Sequence, residues 1–476
     1  MVVRAAGPVH RLRRYRPGPA QLRYRRDRQP ADAQHPQGAA QQGTAIPARP
    51  HPRRPRRGRN TSVTQTQTLN PSKATTGREV VLEIRGLDVD YGFGPDAVRA
   101  VSGADLTLHR GEVLGLAGES GSGKSTLAYA LTRLLRAPGV ITGGEVLFHS
   151  RPQGADAGPV ETVDILAADA KELGRMRWSE LAVVFQSAMH ALNPVARIDA
   201  QLTDVLKAHR RHMSPAERRE RAVELLRMVG ISADRLRSYP HELSGGMRQR
   251  VMIAMSLALE PQVVIMDEPT TALDVVTQRE ILEELMLLRE RLGFAVVFIT
   301  HDLSLLLELA DSIAVMYAGR IVERASAAEL FRAPRHPYSL GLKGSFPSLH
   351  GERVRMEGIP GAPPSLKSMP SGCAFHPRCK FAVDRCKVDL PPLATPAMDR
   401  IDGLPDVSAP TPTQRVSSCW LHDGQQAAPD ALALPFPTPV HLPDQVATAP
   451  NGDTASGADR VPSSTTVTHP TLGSTS

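Results

Sequence analysis

The sequence predicts an α/β fold organised around a nucleotide site, and three observations carry that expectation. Residues 118–125 read Gly-Glu-Ser-Gly-Ser-Gly-Lys-Ser, a complete phosphate-binding loop. The loop follows an apolar run, Val113–Ala117, and precedes residues 126–136, where Leu127, Ala130, Leu131 and Leu134 recur at helical spacing. Further short apolar runs at 181–185, 263–266 and Ala295–Ile299 suit buried strands, each delivering a polar residue at its end.

Taken in order, the chain begins with a segment that cannot build a core. Residues 1–60 hold 15 Arg against Asp27 and Asp32, a charge of +13, so the +8 of the whole leaves −5 for the remainder. This argues against a nucleic-acid-binding body. Residues 1–78, rich in Arg, Pro and Gln, are expected to be disordered. They are either a start assigned too early or a basic tail able to touch anionic lipid or RNA. No run reaches the roughly 18 to 20 apolar residues that cross a bilayer, so a membrane function would need other chains. Order is expected from Glu79, where Leu82 and Ile84, Leu106 and Leu108, and Val146 and Phe148 alternate as in a small antiparallel sheet.

The phosphate loop has a defined chemistry. Gly118, Gly121 and Gly123 let successive amide groups point at a phosphate chain, and Ser120, Ser122 and Thr126 belong to the same stretch. Lys124 adds a point charge at the β and γ phosphates, and Ser125 offers a hydroxyl to Mg²⁺. The strand at 181–185 delivers Gln186, which could ligate Mg²⁺ or orient water. Ser214-Pro215-Ala216-Glu217 is a capping box, and Val223, Leu226 and Val229 are expected to form one face of the helix that Gly230 closes. Ser244, in Leu-Ser-Gly-Gly-Met, is placed to cap a second helix carrying Met247, Val251, Ala254 and Ala258, and its amino end makes another anion site with Gly245 and Gly246. The run at 263–266 ends in Asp267, suited to Mg²⁺, and Glu268, suited to polarise a water. Ala272-Leu273-Asp274 and Thr300-His301-Asp302 follow.

A phosphate loop, a Gln after a strand, a Leu-Ser-Gly-Gly-Met helix start, an Asp-Glu strand end, a Leu-Asp turn and a strand-end His in this order resemble the ATP-binding cassette ATPases over about residues 79–330. The resemblance implies a RecA-type P-loop core with an antiparallel β subdomain and a helical subdomain at about 188–260. It also implies two cassettes packed head to tail, with each ATP between the 118–126 loop of one and the Ser244–Gly246 segment of the other. By that resemblance Glu268 is the general base, Asp267 binds Mg²⁺ through water, and Gln186 reaches Mg²⁺ and the membrane partner. His301 contacts the γ-phosphate, Asp274 communicates across the dimer, and Tyr91 stacks on adenine.

Finer features are similar to the ATP-binding subunits of dipeptide, oligopeptide and nickel importers. They are Ala191-Leu192-Asn193-Pro194, the stretch from Thr271 to Gln278, a hairpin from Met316 to Glu323, His336-Pro337-Tyr338 and the Pro-rich run 359–364. Ala188, where a proline is common, and Lys343, in a usually apolar stretch, depart from that pattern. The implied partners are a second, homologous cassette, two transmembrane permeases and a solute-binding protein, at the cytoplasmic face of the membrane, with no nucleic acid. The expected cargo is di- or oligopeptide; nickel, another small solute or a soluble non-transport ATPase are the alternatives.

Residues 331–425 form a C-terminal extension holding all four cysteines of the chain, Cys373, Cys379, Cys386 and Cys419, and 426–476 read as a disordered tail. Their spacing lacks paired Cys-x-x-Cys knuckles, and a reducing cytosol disfavours disulfides. Four thiolates are the ligand count of a 4Fe-4S cluster, with Zn²⁺ as the competitor. The Gly-Cys-x-Phe-x-Pro-Arg-Cys run at 372–379 resembles members of the importer group that carry such clusters.

Overall fold

The computed structural model describes residues 78–151, 159–185, 191–271, 273–345, 358–396 and 415–424, together with Pro429 and Leu432. The Arg-rich start, Gln186, Ala188, Ala272 and nearly all of the expected tail therefore lie outside the described residues.

The chain opens with β1 (Val80–Tyr91), β2 (Val98–His109) and β3 (Val113–Ala117), followed by α1 (Lys124–Leu131). Next come β4 (Gly139–Ser150), β5 (Glu161–Asp164), α2 (Ala170–Ser179) and β6 (Leu181–Val184). A helical stretch holds α3 (Ile198–His209), α4 (Pro215–Met228) and α5 (Gly245–Ser256). Then β7 (Val263–Asp267), α6 (Val275–Leu292), β8 (Ala295–Ile299) and α7 (Leu303–Leu309) precede the hairpin of β9 (Ser312–Tyr317) and β10 (Arg320–Ser326). The extension adds α8 (Ala327–Arg332), α9 (Pro337–Gly344), α10 (Asp384–Val388) and β11 (Val416–Ser417).

Two sheets organise these elements. One is antiparallel in the order β2-β1-β4-β5. Its register opposes Leu82 to Leu108 and Phe148, and Ile84 to Leu106 and Val146, so the alternating residues read from the sequence meet on one buried face. The other runs β11-β10-β9-β3-β8-β7-β6, parallel from β9 to β6, with β10 and β11 antiparallel at one edge. Its central strands are buried along their whole length, which explains why they read as continuous apolar runs. Because β3, β7 and β8 run parallel side by side, their carboxyl ends bring the phosphate loop, Asp267 with Glu268, and His301 to one edge.

Three expectations need adjustment. The helix after the phosphate loop is shorter than 126–136: the Thr132 hydroxyl bonds back to the carbonyls of Ala128 and Tyr129 at 3.2 Å each, and Arg133 turns left-handed, φ 50°. In α4 the buried face is Ala222, Leu225 and Leu226, with Val223 only half-buried and Val229 at the cap. Helix α5 ends at Ser256, so Ala258 is buried in the turn beyond it. The capping box of Ser214 and Glu217, the Ser244 cap and the left-handed Gly230 all occur.

The extension is bound into the same core. Tyr338 and Phe375 belong to one buried cluster with Val113, Val264 and Phe298 of the parallel sheet. Glu323 on β10, fully buried, accepts hydrogen bonds from the amides of Arg335 and His336 at 2.7 and 2.8 Å and from the Arg415 guanidinium at 3.1 Å. A buried carboxylate is tolerated only with partners of this kind, so the extension and β10 stabilise each other.

Candidate functional site

The phosphate loop leaves β3 and enters α1 through backbone that only glycine accepts. Gly118 has φ +148°, and a Cβ there would stand 2.2 Å from the Met316 carbonyl oxygen. Gly123 has φ +102°, and its Cβ would fall 2.5 Å from the Ala100 carbonyl oxygen. At these two positions the loop nests against β9 and β2 with no room for a side chain. Lys124, 6% exposed, donates to the carbonyls of Gly118 at 2.8 Å and Glu119 at 2.9 Å, folding back across the loop it follows. Burial lowers its pKa, opposed by the charges of Glu268, Asp267 and Glu119.

Ser125 on α1 donates to Asp267 Oδ1 at 3.1 Å. Asp267 is 2% exposed, and its Oδ2 has no hydrogen-bond partner among the described residues. Burial raises the Asp267 pKa, with the Ser125 hydrogen bond opposing. A buried carboxylate oxygen lacking a donor, beside a hydroxyl and a phosphate loop, fits a hard divalent cation such as Mg²⁺.

Glu268 follows immediately but points elsewhere. Its backbone is left-handed, φ 46°, and its amide donates to the Ile299 carbonyl at 2.9 Å. Its Oε2 accepts from the Thr271 hydroxyl at 3.0 Å, and Oε1 lies 3.2 Å from His301 Nδ1. Burial alone would raise the Glu268 pKa, but the hydrogen bonds from His301 and Thr271, then the charges of His301 and Lys124, bring it below the ordinary value. The two hydrogen bonds thus favour the ionised form of the carboxylate.

Tyr91, at the end of β1, places its hydroxyl 3.3 Å from Thr126 Oγ1, beside the start of α1. Ser244 and Asp274 bond within their own helix starts. Ser244 accepts from the Met247 amide at 3.2 Å, and Asp274 accepts from the Thr277 amide at 3.0 Å and hydroxyl at 2.8 Å. Those two starts abut, since a Cβ on Gly246 would meet Thr277 Cγ2 at 2.6 Å. The structure therefore gathers Lys124, Ser125, Asp267, Glu268, His301 and Tyr91 around one loop. Sequence reasoning missed Thr271 as a partner of Glu268, along with Tyr338 and Arg378, which reach the loop from the extension. His336-Pro337-Tyr338 and the 372–379 run were visible only as family markers.

Three cysteines close in sequence, Cys373, Cys379 and Cys386, and the more distant Cys419 line one small cavity of about 10 Å³ together with Phe375, Phe381 and Trp420. Burial pushes the Cys379 thiol up to about 11 and raises Cys373 and Cys419 as well. Among the described residues no group of three or more His, Cys, Asp or Glu side chains is arranged to hold a metal ion, so the expected cluster is not a formed site here.

Comparison with known proteins agrees with this geometry. Residues 101–271 match the ABC transporter family, and residues 322–386 match the family described as oligopeptide/dipeptide transporter, C-terminal region. The oligopeptide transport ATP-binding protein OppD of Salmonella typhimurium is 42% identical over 334 residues, 70% of this chain and 94% of its own length. OppD of Escherichia coli is 42% identical over 317 residues, covering 66% of this chain and 90% of its own. The dipeptide transport ATP-binding protein DppD of Caldanaerobacter subterraneus is 40% identical over 313 residues, covering 66% and 92%. With a phosphate loop, a cation-ready aspartate and an ionised glutamate on a shared sheet edge, the chain belongs to the ATP-binding cassette transporter ATPases, and it carries the C-terminal region of the oligopeptide and dipeptide group.

Proposed function

We propose that the chain hydrolyses ATP to drive uptake of di- or oligopeptides through partner permeases. The observation that carries the substrate class is the match of residues 322–386 to the oligopeptide/dipeptide transporter C-terminal region, since the 101–271 match names only the ABC transporter family. No helix among the described residues is long and apolar enough to cross a membrane, which suits a peripheral subunit at the cytoplasmic face with the solute path in other chains. A second homologous cassette supplies the Ser244–Gly246 counterpart, and a solute-binding protein delivers the peptide.

Within the site, the 118–126 loop and Lys124 hold the triphosphate. Ser125 and Asp267 would hold Mg²⁺, which would supply neutralisation of phosphate charge. Glu268 accepts the proton of the attacking water, His301 keeps Glu268 oriented and faces the γ-phosphate, and Tyr91 stacks on adenine. Asp274 fixes the start of α6 at the dimer face. Gln186, outside the described residues, would complete the Mg²⁺ set.

The boundaries follow the same reading: cassette at 79–330 with its helical part at 188–260, then the extension at 331–425. The thiols of the extension are proposed to hold a 4Fe-4S cluster, with Zn²⁺ as the alternative. Their convergence on one cavity supports a shared ligand. Its volume, about 10 Å³, is that of one water-sized sphere, so the surrounding loops must part to admit a cluster. Anaerobically purified protein should be brown and lose its absorption near ~400 nm in Cys379→Ser; colourless protein with one zinc per chain would decide for Zn²⁺.

The main reading is tested by isolating the tagged chain from membranes with its permeases. Peptides should stimulate its ATP hydrolysis. Stimulation by another solute class and by no peptide would overturn the substrate assignment.

A further inference from the structure

Glu119 is a carboxylate inside a loop built to bind phosphate anions, and the chemistry of hydrolysis gives it no part. A bare negative charge there would repel the triphosphate. The extension answers it. Arg378 meets Glu119 as a two-pronged pair, Nη1 to Oε2 at 2.7 Å and Nη2 to Oε1 at 3.0 Å. The guanidinium is held in place independently. Its Nε donates to the Pro360 carbonyl at 2.8 Å, Nη1 donates to the Tyr317 hydroxyl at 3.3 Å, and its carbon lies 5.9 Å from the ring centres of Tyr317 and Phe375. Arg378 is 8% exposed and the Glu119 side chain 27%, so the pair is partly shielded from water.

The remaining polar groups of Glu119 are tied as well. Its amide donates to the hydroxyl of fully buried Tyr338 at 2.8 Å, and its carbonyl accepts from Lys124 Nζ at 2.9 Å. Glu119 is thus fixed from the extension on two sides and from the catalytic lysine on the third. The docking of the extension does not need this pair, because the buried Glu323 bonds already join it to β10. A cavity of about 360 Å³ opens beside it, lined by Glu119, Ser120, Gly121 and Ser122 of the loop and by Pro363 and Lys367 of the extension.

We propose that Arg378 is a positioning residue for the ATPase: it masks the charge of Glu119 and holds the phosphate loop in its nucleotide-binding shape. Two-pronged, charge-assisted pairs are the geometry suited to this, since they fix direction as well as charge. A loop already ordered also loses less freedom when ATP binds. The extension then contributes directly to nucleotide affinity.

The test is the steady-state ATPase, with Mg-ATP, of the full-length chain purified in complex with its permeases and partner cassette. Arg378→Gln should raise KM about tenfold while kcat stays within about twofold, because Arg378 touches no reacting atom. Adding Glu119→Gln to that variant should bring KM back to within about threefold of the parent, since the unmasked charge is gone. A purely structural Arg378 would lower the melting temperature of both variants alike with no recovery of KM, and that result would overturn the proposal. So would an unchanged KM in Arg378→Gln. Should Arg378→Gln fail to fold, Arg378→Lys serves, keeping charge but losing the fork: a KM raised several-fold supports the proposal, and an unchanged KM contradicts it.

Discussion

Asp267 and Glu268 are neighbours in the chain with opposite acid–base settings. Burial raises the first, while His301 and Thr271 help bring the second below its ordinary value. The cause is their surroundings: Asp267 is the buried last residue of β7, whereas Glu268, on a left-handed backbone of φ 46°, meets the Thr271 hydroxyl and the His301 ring. The Asp-Glu pair was legible as letters because an apolar strand must end in something polar at the sheet edge. The torsion and the Thr271 bond were not, since both depend on the turn after the strand. Replacing Glu268 with Gln should cut hydrolysis by about 10²-fold or more with Mg-ATP affinity unchanged, because it removes a proton acceptor and no phosphate contact. Glu268 is ionised above its lowered pKa and becomes protonated only as pH falls through it. Turnover should therefore show no acid limb from this group above the ordinary glutamate range. An acid limb near neutral pH that Glu268→Gln removes would contradict this assignment.

Among the elements, those whose sequence periods match their surroundings were readable, and those ended by side-chain bonds were not. The hairpin of β9 and β10 turns through Ala318 and Gly319, φ 49° and 81°, the paired left-handed turn expected where a Gly follows between two apolar strands. Helix α1 stops early because Thr132 competes for its carbonyls, a contest that apolar spacing does not encode. The contact between the starts of α5 and α6 was equally hidden. A Cβ on Gly246 would stand 2.6 Å from Thr277 Cγ2, so Gly246→Ala should destabilise the fold by about 1–3 kcal/mol through overpacking. Thr277→Ser removes that methyl yet keeps the hydroxyl bonded to Asp274, so the double variant should regain most of the loss in denaturant unfolding. An additive loss would show that the two helix starts do not press on each other.

At the scale of the whole molecule, one sheet edge collects the nucleotide chemistry and one extension reaches back to it. The order of motifs along the chain was enough to expect the first. The second rests on long-range pairs, Arg378 with Glu119 and Tyr338 with the Glu119 amide, which join residues more than two hundred positions apart and leave no local pattern. The cysteines show the same limit: their number suggested a shared ligand, whereas only the fold brings them to one cavity. The most direct test of the account is transport itself. The chain, purified with its permeases, is reconstituted in vesicles with Mg-ATP on the cassette side, and uptake of a labelled peptide delivered by the solute-binding protein is followed. The account predicts peptide accumulation above the external concentration, lost when ATP is omitted. ATP hydrolysis that proceeds normally with no accumulation of any di- or oligopeptide would contradict it.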